Sequence, residues 1–173
     1  MYKDASELMS QCKEQNKRIW QIAVENEMKL TSSSYEDILS RFDDRLEIMF
    51  HSAQKALNAK QATKGGLIDG VAKTQYDYSK KENISGEYIN YVMSLAYSCS
   101  EVNASMGKIC ASPTAGSCGI VPAVLLGLSQ AKNISREKTL EGLITASAVG
   151  AIYTKNATVA GADGGCQAEC GVA

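Results

Sequence analysis

The sequence predicts an all-α fold of five or six helices, and three observations carry that prediction. Apolar residues recur at the i, i+3, i+4, i+7 spacing of a helix in several long segments. Serine and aspartate stand where those segments begin, as helix caps do. No stretch alternates with the two-residue period of a half-buried strand. The chain has 173 residues, enough for one domain with a real core. We read a single helical domain over 1–173, with no internal repeat and no low-complexity segment.

Taken in order, Asp4 or Ser6 caps a first helix running to about Leu30, with Leu8, Cys12, Ile19, Ile22 and Ala23 as its apolar stripe. Thr31 to Ser34 breaks it. Ser33 and Glu36 then make a capping box for the second helix. Tyr35, Ile38, Leu39, Phe42, Leu46, Met49 and Phe50 mark its inner face, and it continues to about Asn58. His51, the single histidine, sits near its end. It is either an acid–base group or a surface side chain, and the second reading is the simpler.

Ala62 to Lys73 (ATKGGLIDGVAK) reads as a connecting loop. It lacks the Gly-Lys-Ser/Thr of a phosphate loop, yet Lys73 or Asp69 can face a site from it. Tyr76 to Asn83 is polar and short of core residues. Ser85 caps a helix from about Gly86 to Met106, with Ile89, Val92, Met93, Ala96 and Tyr97 on its inner stripe. A turn over Cys110 to Gly116 follows, where Pro113 biases Ser112 away from helix. From Ser117 the segment IVPAVLLGLSQA reads as a buried helix. Ser135 caps the next, a thin helix of small residues through Thr145 to Gly150.

Composition excludes several functions. Apolar residues make up 45% and charged residues 21%, with a formal net charge of −1. No basic excess advertises nucleic acid or an anionic membrane. No apolar run reaches spanning length and the start has no signal-peptide pattern, so the expected location is cytoplasmic. The six cysteines are then expected to be free thiols, with Cys12 and Cys99 inert in the core.

Two stretches carry the chemistry, and we read them as halves of one site. One is Cys110 to Ala123 (CASPTAGSCGIVPA). The other is Ile152 to Ala173 (IYTKNATVAGADGGCQAECGVA), rich in glycine and bearing Cys166 and Cys170 beside Asp163, Gln167 and Glu169. Glycines let backbone approach a ligand, and thiols beside such a turn are candidate metal or cluster ligands. A zinc site would need Cys110 and Cys118 as a second pair, and the histidine is remote. A ferredoxin-type cysteine run is absent. Asp163 and Glu169 are poor bases for a nucleophilic cysteine. Residue spacing alone stops at a polar, thiol-bearing site between small-residue helices.

The segments SPTAGSCGIVPA (Ser112 to Ala123), EVNASMGKICA (Glu101 to Ala111) and NATVAGADGGCQAECGVA (Asn156 to Ala173) resemble the alpha chain of the bacterial iron–sulfur-dependent L-serine dehydratase. The resemblance extends to the amino-terminal region around Glu27. It implies an oxygen-sensitive [4Fe–4S] enzyme that converts L-serine to pyruvate and ammonia without pyridoxal phosphate. Cys166 matches the cluster ligand of the Gly-Gly-Cys-Gln motif. Two further ligands belong to a later segment that this chain does not contain, so the chain reads as the amino-terminal part of a larger helical domain, inactive by itself. Cys170 and Cys118 stand where relatives carry other residues.

For the substrate carboxylate, Ser112, Thr114 and the amides of Ala115, Gly116 and Ser117 are the expected donors, since a turn opening a helix suits an anion. Asn156 joins them as a candidate for substrate. Asp163 and Gln167 are expected to orient the cluster or the substrate's ammonium. No base stands out; Lys73 and His51 are weak candidates. The expected partners are L-serine and a beta subunit, with a homodimer as a further expectation because an incomplete domain leaves apolar surface. Two other functions stay open: a cluster-dependent lyase acting on another β-substituted amino acid such as cysteine, and a non-catalytic helical module that binds a subunit.

Overall fold

The computed structural model describes residues 2–173. Among them are nine helices and no strand, in one all-α domain. Seven helices are long and two are single turns, so the expected count of five or six was low. The extra elements arise in two places.

The first is near the start. α1 (Ala5–Gln15) and α2 (Ile19–Thr31) stand where one helix was expected. Asn16 is left-handed, with φ 52°, and its N–H closes onto the carbonyls of Cys12 and Lys13. Asparagine tolerates that conformation better than most residues and ends helices with it. Cys12 and Ile19 are seven residues apart, so the apolar spacing stays helical across the break and hides it. Asp4 does cap α1, accepting from the Glu7 amide.

α3 (Tyr35–Lys55) is the central helix, packing against α2 and three helices that follow it. Its capping box is Ser34 with Asp37, one residue beyond the expected Ser33 and Glu36. The serine run offers several caps, and helix entry decides among them. Ile38, Leu46, Met49 and Ala53 are buried along its inner face. Each buried aliphatic side chain of this size contributes about 1.5–3 kcal/mol.

The second extra element is α4 (Val71–Ser79), which joins the end of the expected loop to the polar stretch after it. Its own apolar signal is weak. What holds it is Glu101, fully buried on α5 (Glu87–Ala104). The Glu101 carboxylate accepts the amides of Gly70 and Ala72, each at 2.7 Å, and of Gln61 at 3.3 Å. The Gly70 and Ala72 amides are donors that the start of α4 leaves without intrahelical partners. Gly86, with φ 81°, opens α5 in place of the expected Ser85.

α6 (Ile120–Lys132) and α7 (Arg136–Asn156) complete the layer around α3. Ser135 caps α7 as expected, accepting from the Lys138 amide. α7 absorbs the first residues of the glycine-rich stretch. The remainder holds the single turns α8 (Gly161–Gly164) and α9 (Cys166–Glu169). No helix among the described residues is long and apolar enough to cross a membrane.

Candidate functional site

The segment from Cys110 to Gly119 is fixed by small residues and internal hydrogen bonds. Gly119 seats it on α5: a Cβ there would lie 2.5 Å from the Ala96 carbonyl oxygen. Ser117 is buried, and its hydroxyl donates to the Ser112 carbonyl at 3.0 Å. The Thr114 amide and hydroxyl both lie 3.4 Å from the same Ser117 oxygen. Asn103 on α5 donates to the Ala115 carbonyl at 3.1 Å. The Ser112–Pro113 peptide bond is cis.

The turn held this way leaves groups free. The amides of Ala115, Gly116 and Ser117 donate to no acceptor among the described residues, and Ala115 and Gly116 are exposed. The buried Ser112 hydroxyl also finds no partner there. Ser112 and Pro113 line a cleft of about 840 Å3 between α3, α7 and this segment. Its floor is apolar, with Phe42 and Leu143, and Arg41 and Arg45 of α3 stand at its wall.

The glycine-rich end reaches the same segment twice. Val172 and Ala173 line the cleft. On the other side of the turn, the Glu169 carboxylate lies 3.2 Å from where a Gly116 Cβ would be, and 3.1 Å from the corresponding position at Gly161. A side chain at either place would press on the carboxylate and shift it by a few tenths of an ångström. Thus the two stretches singled out in the sequence do meet in space.

The other candidate residues fall as follows. Cys166, exposed, opens α9, and Gln167 beside it is exposed. Asp163 is exposed and accepts from the Thr158 hydroxyl at 3.1 Å. Asn156 lies at the end of α7, where its side chain donates to the carbonyls of Lys3 and Ile152 and so ties the two ends of the chain together. It does not line the cleft. Lys73 is paired with Asp77 along α4, and His51 is exposed on α3; neither lines the cleft. Sequence reasoning gave no site role to Arg41 or Arg45 and dismissed Glu169. Their residue types were visible, but their convergence on the 110–119 segment is a tertiary event.

The thiols divide by environment. Burial pushes Cys99 up to about 12, with its contact to Ser52 only partly opposing. Burial also raises Cys118 and Cys110. Cys170 is raised first by its contact with the Cys166 thiol. Cys99 therefore carries about a thousandfold less thiolate at pH 8 than an ordinary cysteine. Timed alkylation of the native chain at that pH is expected to label Cys166 first and leave Cys99 and Cys118 unlabelled; early labelling of Cys99 would contradict the packing around it.

Similarity to known proteins identifies the family of this chain. A protein-family model described as "Serine dehydratase alpha chain" matches residues 14–173. The "L-serine dehydratase, alpha chain" of Peptoniphilus asaccharolyticus is 41% identical over 174 residues, covering 100% of this chain and 60% of that protein. The "Probable L-serine dehydratase, alpha chain" of Bacillus subtilis is 37% identical over 173 residues, covering 100% of this chain and 58% of its own length. "L-serine dehydratase 1" of Escherichia coli is 30% identical over 178 residues, which is 99% of this chain and 39% of that protein. The chain thus spans about 60% of the length of the alpha chains it matches.

Proposed function

The chain belongs to the serine dehydratase alpha-chain family, and on that premise we propose that it forms part of an L-serine ammonia-lyase that releases pyruvate and ammonia. The observation that supports this reading best is the pairing of opposite polarities at the 112–117 turn. Free amides are exposed at Ala115 and Gly116, and the Glu169 carboxylate stands beside Gly116. An amino acid is a zwitterion. The amides and the Thr114 hydroxyl take its carboxylate. Glu169 takes its ammonium and turns the α-carbon toward Cys166, three residues away in sequence. Ser112, with its unpartnered hydroxyl, adds a donor from the cleft side. Ser117 contributes its amide, because its hydroxyl is spent on holding the turn.

The family resemblance implies a [4Fe–4S] cluster. Cys166 fits as one ligand: its thiol is exposed, and Gly165 beside it has φ 66°, so the backbone leaves room for a bulky inorganic group. No group of three or more His, Cys, Asp or Glu side chains gathers to hold a metal ion among the described residues. In this reading the other ligands come from the rest of the enzyme. When bound, the cluster supplies an iron with an open position that acts as a Lewis acid on the serine hydroxyl, a poor leaving group. Asp163 and Gln167, both exposed near Cys166 in sequence, are the proposed outer contacts of the bound cluster or the substrate's ammonium. Neither Lys73 nor His51 is given the proton-abstracting role.

In this proposal activity belongs to the complete alpha chain together with a beta subunit, and the isolated chain is inactive. Ile89, Met93 and Tyr97, expected on the inner stripe of α5, are exposed, because the helix buries Leu95, Cys99 and Val102 instead; these exposed apolar side chains support a face that another chain covers, whether that subunit or a second copy in a homodimer. The test is serine-dependent pyruvate release by the complete alpha and beta chains, with iron and acid-labile sulfide measured on the same sample. Thr114→Ala is expected to raise KM for serine about tenfold or more, as loss of a hydrogen bond to a charged group implies. An unchanged KM removes Thr114 from the site. Pyruvate release from cysteine and not from serine would favour the lyase acting on another β-substituted amino acid.

A further inference from the structure

We propose that Cys166 and Cys170 form a reversible dithiol–disulfide pair whose oxidant is a small-molecule disulfide. The two residues lie one helical turn apart, and the Cys170 amide donates to the Cys166 carbonyl at 2.7 Å. Residues four apart on a helix share a face. Both thiols are free. Cys166 is exposed and Cys170 half-buried, so an oxidant in solution reaches the first and the second waits beside it. Cys99 and Cys118 also lie close together, with the Cys118 thiol 3.9 Å from the Cys99 carbonyl, but both are buried and closed to a solute. Of the six cysteines, only the pair on α9 combines proximity with access.

The backbone there can make the bond. Helical neighbours four apart have Cβ atoms about 5–6 Å apart, whereas a disulfide wants roughly 3.5–4.5 Å. The turn must therefore tighten by about 1–2 Å. α9 is a single turn, with Gly165 before it at φ 66° and Gly171 just after Cys170. Little packing resists the change: of the α9 residues only Ala168 is buried.

The chemistry balances as thiol–disulfide exchange. The Cys166 thiolate attacks one sulfur of a small disulfide, forms a mixed disulfide and releases one thiolate. The Cys170 thiol loses its proton and attacks the Cys166 sulfur, closing the 166–170 bond and releasing the second thiolate. Two protein thiols lose two electrons, and one small disulfide becomes two thiols that carry the two protons. The functional consequence rests on the proposed ligand role of Cys166: oxidation withdraws that thiolate, so the disulfide form takes up no iron at this position.

Trypsin cuts after Lys155, and no lysine or arginine separates Cys166 from Cys170, so both cysteines stay in one peptide. The native chain is equilibrated with oxidised glutathione, quenched with an alkylating reagent and mapped by mass spectrometry. The expected result is a peptide lighter by two hydrogen atoms with no alkyl group, complete conversion at this site, and Cys99 and Cys118 still reduced. Cys170→Ser is expected to stop at a glutathionyl group on Cys166. A stable glutathionyl group on Cys166 of the unaltered chain, or alkylation of both thiols, overturns the proposal. Iron and acid-labile sulfide uptake by the complete, reduced alpha chain reads the ligand role separately, so the two ideas fail independently.

Discussion

Replacing Glu101 with alanine is expected to lower folding stability by about 3–5 kcal/mol, since hydrogen bonds to a charged group contribute most and their loss strands buried partners. In a chain of this size that is a fall in melting temperature of roughly 10 °C. The carboxylate has no exposure and accepts three backbone amides, those of Gln61, Gly70 and Ala72. Its removal leaves the buried Gly70 and Ala72 donors without a partner and takes a carboxylate from the start of α4, where the helix dipole favours one. Glutamine is a poor replacement. Its amide nitrogen would face the Ala72 N–H donor in place of an acceptor, so Glu101→Gln is expected to recover less than half of the loss. Urea denaturation measures the size. Hydrogen exchange at the Gly70 and Ala72 amides shows whether the loss begins at α4, and an unchanged midpoint would mean that this carboxylate does not organise it.

Gly119→Ala is expected to be comparably damaging, by about 3 kcal/mol, at the upper end of overpacking costs. The added Cβ would lie 2.5 Å from the Ala96 carbonyl oxygen and 3.1 Å from the Ala96 Cα. All of these neighbours are α5 backbone, which cannot swing aside. α6 must lift from α5, and the 112–117 turn moves with it. Gly127→Ala makes the comparison: its Cβ would meet Val92 Cγ2 at 2.6 Å, and the atoms nearest to it all belong to side chains. That variant is expected to lose only about 1 kcal/mol. Thermal melts of the two variants side by side give the answer. Equal melting temperatures would mean that backbone contact is not what seats the turn.

Much of the fold was legible in the chain because helical spacing and capping are local. The inner face of α3, the span of α5 within two residues, and the Ser135 cap all followed from neighbours in sequence. The misses were of the opposite kind. The α1–α2 break was hidden by apolar spacing that continues across it. α4 was missed because its start is secured by a carboxylate 29 residues away from the Ala72 amide it holds.

The same division runs through the site. The sequence by itself determined which segments carry the chemistry, because runs such as Ser112 to Ala123 and Gly164 to Cys170 place glycines, hydroxyls and thiols at fixed short spacings, and such runs are specific to a family. Only the tertiary structure decided what those segments do to one another. It brought Glu169 to Gly116, spent the Ser117 hydroxyl inside the turn, drew Asn156 away to Lys3, and set the Cys166 thiol open to solvent while Cys99 was sealed. Contacts of this sort depend on how helices pack across the core, and no local pattern encodes that distance.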